Sequence, residues 1–161
     1  MSGATAPGQR TAGTAPAGRT RGRWSVVVPV GALLAWTTFV WVGRIRNAVS
    51  DPELSGSDRV GPLLLSASFL VLAVVVGALL YRDHIAGTAS SAGALRLGVR
   101  TFAAVTVAFW LVRAIQIAVR HPDDVPFVVV HVVLAAVSIS LAIWAVVAAD
   151  RQYAHITSVT A

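Results

Sequence analysis

The sequence predicts an all-α protein, a polytopic four-helix transmembrane bundle. Three observations carry that expectation. Hydrophobic residues make up 56% of the 161 and charged residues 12%, against roughly 45–50% and about 25% in a soluble domain. The apolar residues fall into four long runs, and about 20 residues at 1.5 Å each cover the ~30 Å hydrocarbon core of a bilayer. Polar segments carrying arginine, proline or glycine separate the runs.

The elements follow in order. Residues 1–23 are mostly Gly, Ala, Thr, Pro and Arg without an apolar period. Such a segment cannot bury enough surface to offset chain entropy, so a disordered tail is expected. A signal peptide is disfavoured, because the run that follows is too long and lacks a small-x-small site. The transmembrane domain is expected over 24–149. Its first span is 24–43, with Pro29 near the start and Trp24 and Trp41 at the ends, where an aromatic belt belongs. Asp51-Pro52 should stop that helix, since the residue before proline is pushed out of the α region. The second span, 61–81, has no charge and carries Ser66, Ala73 and Gly77 on one side, which suits close helix approach. The Gly-, Ala- and Ser-rich stretch 82–100 reads as a flexible loop. The third span is 101–119. A turn with Pro122, Asp123 and Asp124 precedes the fourth, 126–149, which opens on Pro126, a favoured first-turn residue. A short polar tail, 150–161, ends the chain.

Orientation follows from arginine. All 13 Lys+Arg residues are arginine. Arg10, Arg19, Arg21, Arg23, Arg82, Arg96, Arg100 and Arg151 share one side, and Arg44, Arg46, Arg59 and Arg120 the other. The richer side is cytoplasmic by the positive-inside rule, so both termini are expected there. The net charge of +6 is then topological, and nucleic acid is not an expected partner.

One spacing occurs twice. Thr37, Trp41, Arg44 and Asn47 are matched by Thr106, Trp110, Arg113 and Gln116. Two hairpins of like orientation, each carrying these residues in its first helix, suggest tandem two-span repeats related by an axis along the membrane normal. At about 100° per residue, Arg44, Asn47 and Asp51 form one stripe, and Arg113, Gln116 and Arg120 another. Asp51 and Arg120 would be placed to pair across the axis. An arginine at the centre of a span costs roughly 2.5–3.5 kcal/mol on insertion scales. Snorkelling to the headgroups is favoured for Arg44. Arg113 leaves two readings open, a snorkel or an interior site shared with His131 or the acids of the next turn. Arg44, Asn47, Arg113, Gln116 and His131 are therefore the candidate site, for an anionic lipid or a partner.

Other chemistry finds no support. Without cysteine there is no disulfide, thiol nucleophile or thiolate ligand. His84, His121 and His155 fall in loops or tails, so His131 lacks an axial partner for haem, and no ligand spacing suits a metal. No nucleophile–base pair, phosphate loop or dinucleotide fingerprint is present. The expectation is a protein without cofactor and without catalysis.

The end of the first span reads Val40-Trp41-Val42-Gly43-Arg44-Ile45-Arg46-Asn47, followed by Asp51. The third ends Trp110-Leu111-Val112-Arg113, and the fourth opens Phe127-Val128-Val129-Val130-His131. Over about 24–149 the chain resembles a group of small four-span integral membrane proteins of actinobacteria. That resemblance implies the architecture and a bacterial plasma membrane, and no activity. Together these readings lead to a non-enzymatic integral membrane protein that binds a membrane partner or anionic lipid, in contact with the bilayer and with a second membrane protein or its own copies. The alternative is an oligomeric small transporter or channel subunit.

Cysteines placed at Ser55 and Ser90 test the topology on a chain with no cysteine of its own. They should react with an impermeant maleimide from opposite sides of the membrane. Reaction of both from one side would rule out four spans.

Overall fold

A computed structural model describes residues 18–120 and 125–160. It contains four helices in succession: α1 Gly18–Ser50, α2 Gly56–Ala86, α3 Ala89–Arg120 and α4 Val125–Thr160. Each is long and apolar enough to cross a membrane. The protein is an all-α four-helix bundle. Neighbours in the chain pack side by side, and α4 closes the ring against α1. One end of the bundle carries the α1–α2 and α3–α4 connections and is called the hairpin end. The other carries the α2–α3 turn and is called the terminal end.

The helix boundaries have local causes. α1 passes through Pro29 unbroken. At its end the Asp51 amide still donates to Asn47 O at 3.0 Å, and Pro52 stops the helix there. Asp51 Oδ1 then accepts the Glu53 N–H at 3.0 Å, the Asx turn that reverses the chain. Ser55 caps α2 with extended backbone, and its hydroxyl bonds the Asp58 carboxylate in the first turn. Asp58 also lies where the helix dipole favours negative charge.

The stretch 82–100 is not a loop. α2 runs to Ala86, and Gly87 takes the left-handed conformation (φ 59°, ψ 31°) that ends so many helices. Its N–H donates to Asp83 O at 2.9 Å. Thr88 then caps α3, its Oγ1 accepting the Ser91 N–H at 3.2 Å. The connection is Gly87 and Thr88 alone. The low hydropathy of this stretch hid a helical period: Ala92, Leu95, Val99 and Phe102 recur at helical spacing and are all buried. The helices also outrun the expected spans at the chain ends. α1 begins at Gly18, inside the segment expected to be disordered, and α4 takes in nearly all of the expected tail 150–161. The turn with Asp123 and Asp124 lies outside the described residues.

The core lies on the bundle axis. Val26, Val30 and Leu33 of α1 meet Phe69, Ala73 and Val76 of α2, Leu95, Val99 and Phe102 of α3, and Ala142, Ala145 and Ala149 of α4. The three alanines fall on one face of α4 and are nearly inaccessible. Small side chains let neighbouring backbones approach, which sets packing where lipid offers no hydrophobic drive between helices. Of the small residues expected to face a neighbour on α2, Ser66 and Ala73 are buried, and Gly77 lies against Leu34 of α1. Outward residues such as Phe39, Val71, Val74 and Ile115 are largely exposed. Such a belt contacts the bilayer.

Ala142→Leu should lower the melting temperature in detergent, because overpacking a tight core costs about 1–3 kcal/mol. Val74→Leu, on the lipid face, should leave it unchanged. Equal stability of the two variants would contradict the packing described.

Candidate functional site

The two copies of the spaced motif sit on α1 and α3, opposite each other across the ring. Thr37, Trp41, Thr106 and Trp110 are all buried. Trp41 stacks on Phe69, centroids 4.2 Å apart and planes at 14°. Phe109 packs against both of those rings at 5.1 and 5.4 Å. This aromatic layer forms a floor. Above it, at the hairpin end, lies a cleft of about 990 Å³ lined from all four helices.

Arg44, Asn47, Arg113, Gln116 and His131 all line this cleft. The Arg44 guanidinium lies 5.5 Å from the Trp41 ring centroid and 6.0 Å from that of Phe109. It turns into the bundle over the aromatic floor, where a cation is attracted by the ring faces. The Arg44 side chain, favoured as a snorkel, thus packs against these rings at the hairpin end. Arg113 Nη1 reaches Gln116 Oε1 at 3.5 Å, a long contact. Its Nε is buried and has no hydrogen-bond partner among the described residues.

Arg113 and His131 line the same cleft without a hydrogen bond between them. His131 Nδ1 donates to Phe127 O at 2.9 Å, and its ring packs on Phe127 at 4.1 Å. That bond leaves Nε2 uncommitted. The expected partners Asp123 and Asp124 lie outside the described residues, as does the side chain of Arg120 needed for the Asp51–Arg120 pair. Asp51 itself lines the cleft, with Oδ1 taken by the Glu53 N–H and its carbonyl accepting Arg59 Nη2 at 2.7 Å.

Sequence reasoning missed a second polar cluster, at the terminal end. Asp83 is buried; Oδ1 accepts Ser91 Oγ–H at 2.9 Å and Oδ2 accepts Gln152 Nε2–H at 2.6 Å. Three helices meet on that carboxylate. Beside it, Asp150 accepts from Arg96 Nε at 2.7 Å and from Arg100 Nη2 at 2.8 Å. The Arg96 guanidinium also covers Tyr153 at 4.9 Å. Reading 82–100 as a loop concealed all of this. The available signal was Gly87-Thr88 as a helix stop and start, which sets Asp83 and Ser91 in facing turns.

The two ends therefore differ in charge balance. Among the described residues the ion pairs are those of Asp150, both at the terminal end. Arg44 and Arg113 bring two cations to a largely apolar cleft with no ion pair. No family model matches the chain, and neither does any curated protein or solved structure.

Asp83→Ala should destabilise the protein, because it removes the bond from Ser91 and leaves the Gln152 amide without its acceptor, at on the order of 1–3 kcal/mol. Thermal unfolding in detergent, against Glu53→Ala at an exposed turn position as control, measures it. An unchanged melting temperature would mean the cluster does not tie the three helices.

Proposed function

We propose that the protein is a non-enzymatic multi-pass protein of the bacterial plasma membrane, with cytoplasmic termini, that holds an anionic lipid or an anionic group of a membrane partner in the hairpin-end cleft. The observation that carries this reading is the pair of arginines in one cleft, without an ion pair among the described residues, one of them with a buried Nε lacking any partner. Charge removed from water must be paired or hydrogen-bonded. A guanidinium presents a planar fork that meets phosphate or carboxylate through two parallel bonds. Asn47 and Gln116 add amide donors at the same rim. An anion would satisfy these groups together.

The alternative, an oligomeric small transporter or channel subunit, draws less support. Trp41, Phe69, Val99 and Phe102 fill the axis directly beneath the cleft, so a conduit would have to form between chains.

Anionic phospholipid should stabilise the delipidated protein. A ligand at 100 times its Kd contributes about 2.7 kcal/mol, or roughly 5–10 °C for a chain of this size. Arg113→Leu and Arg44→Leu should each lose most of that shift. Arg113→Leu should melt no lower than wild type without lipid, since it removes a guanidinium whose buried Nε has no partner among the described residues. Arg113→Lys should keep the charge and lose part of the shift, because an ammonium cannot reproduce the fork. A full lipid-induced shift in both leucine variants would end the proposal.

A further inference from the structure

The ring of four helices is tight at one level and open at another, and the change happens within two turns of one seam. Trp36 Nε1 of α1 donates to Ser138 Oγ of α4 at 2.9 Å, and that hydroxyl donates on to Leu134 O at 2.7 Å. Here the two helices touch. They run antiparallel. Gly43 lies seven residues after Trp36 and His131 seven before Ser138, so both return to the same faces, roughly 10 Å nearer the hairpin end. Continued contact would bring them together. Instead, a methyl group added at Gly43 would meet no atom within 4 Å. Gly43 and His131 both line the cleft. The seam between α1 and α4 has parted there, and the cleft fills the gap.

Its walls continue onto the lipid-facing surface. Phe39 and Val130 line the cleft and are also 71% and 55% exposed. The opening therefore faces the bilayer sideways. Volume gives a second constraint. About 990 Å³ is the upper end of the ~300–1,000 Å³ typical of small-molecule sites. A bare inorganic oxyanion would leave most of it empty, and most of the wall is apolar, with Asn47, Asp51, Gln116 and His131 among the polar groups beside the arginines. The site suits a molecule with an anionic head and an apolar chain. Arg44 and Arg113 lie toward the hairpin-end termini of α1 and α3, and two forks suit a phosphate's several oxygens.

We propose that the occupant is a phosphate-bearing lipid, its head between Arg44 and Arg113 and its chain leaving through the α1–α4 seam beside Gly43. This rests on the anion reading of the cleft given above. Gly43 is then a doorway: the missing side chain leaves the space that the chain occupies.

The test uses the full chain, delipidated in detergent, with dioleoyl phosphatidic acid, phosphatidylcholine of the same chains, and inorganic phosphate as probes. Native mass spectrometry reads binding, and melting temperature reads stabilisation. Wild type should bind phosphatidic acid at least tenfold more tightly than phosphatidylcholine, and inorganic phosphate should not stabilise it at the same concentration. Gly43→Leu should weaken phosphatidic acid binding tenfold or more while melting like wild type without lipid, since its side chain enters open space. Val130→Trp should do the same from the α4 side. If both bulky variants bind phosphatidic acid normally while Arg113→Leu does not, the seam is not the doorway, and the anion reading survives alone. Inorganic phosphate stabilising as well as the lipid would overturn the lipid and leave a soluble anion. If the arginine variants also bind as wild type, both readings fail.

Discussion

A charge in hydrocarbon must be paired, hydrogen-bonded or led to water, and the rest of this bundle is arranged around that constraint. An arginine at the bilayer centre costs about 2.5–3.5 kcal/mol on insertion scales. The middle of each helix accordingly lacks charge, and the axis there holds Leu33, Phe69, Val76, Val99 and Phe102. Charged groups are confined to the two ends. Backbone groups obey the same rule through unbroken helices, with the α2–α3 connection reduced to Gly87 and Thr88. Several serines within the spans return their protons to their own helix, Ser66 to Pro62 O and Ser68 to Leu64 O.

The two ends meet the constraint differently. At the terminal end, Asp83 is satisfied by donors from α3 and α4, and Asp150 by two guanidiniums. These bonds tie α2, α3 and α4 to one another. Water also reaches Asp150 and its partners, so the geometric tie there matters more than the Coulomb energy. At the hairpin end, Arg44 has aromatic faces and Arg113 a long contact to Gln116. A buried polar atom left unmatched, Arg113 Nε, destabilises the protein on its own. Such a group persists in a structure that is held firmly elsewhere, and the terminal end supplies that hold.

The sequence carried the architecture because hydropathy and length report span number directly, and because proline and the Asp51-Pro52 pair mark stops. It also brought forward Arg44, Asn47, Arg113, Gln116 and His131, which share one cleft, because a polar group in an apolar run stands out and equal spacing sets equal faces. It failed on 82–100. There the helix is neither apolar enough to read as a span nor polar enough to read as loop, and only the spacing of Ala92, Leu95, Val99 and Phe102 gave it away. The Asp83–Gln152 bond spans 69 residues, and no local pattern announces a partner that far along the chain. The inward turn of Arg44 was hidden for a related reason. Where a long stem rests depends on Phe109 of another helix as well as on Trp41 three residues before it.

Topology explains why the opening falls where it does. At the hairpin end the chain joins α1 to α2 and α3 to α4, so each connection lies within one hairpin. No covalent link crosses between the hairpins there. At the terminal end the opposite holds, since the Gly87-Thr88 turn joins the two hairpins and the Asp83 bonds to Ser91 and Gln152 reinforce that join. Two pairs joined tightly at one end can separate only at the other. The space that opens must be bordered by residues from both hairpins, and the motif supplies one arginine from each. Arg44 and Arg113 repel one another across that space, which favours the parted arrangement until a negative group lies between them.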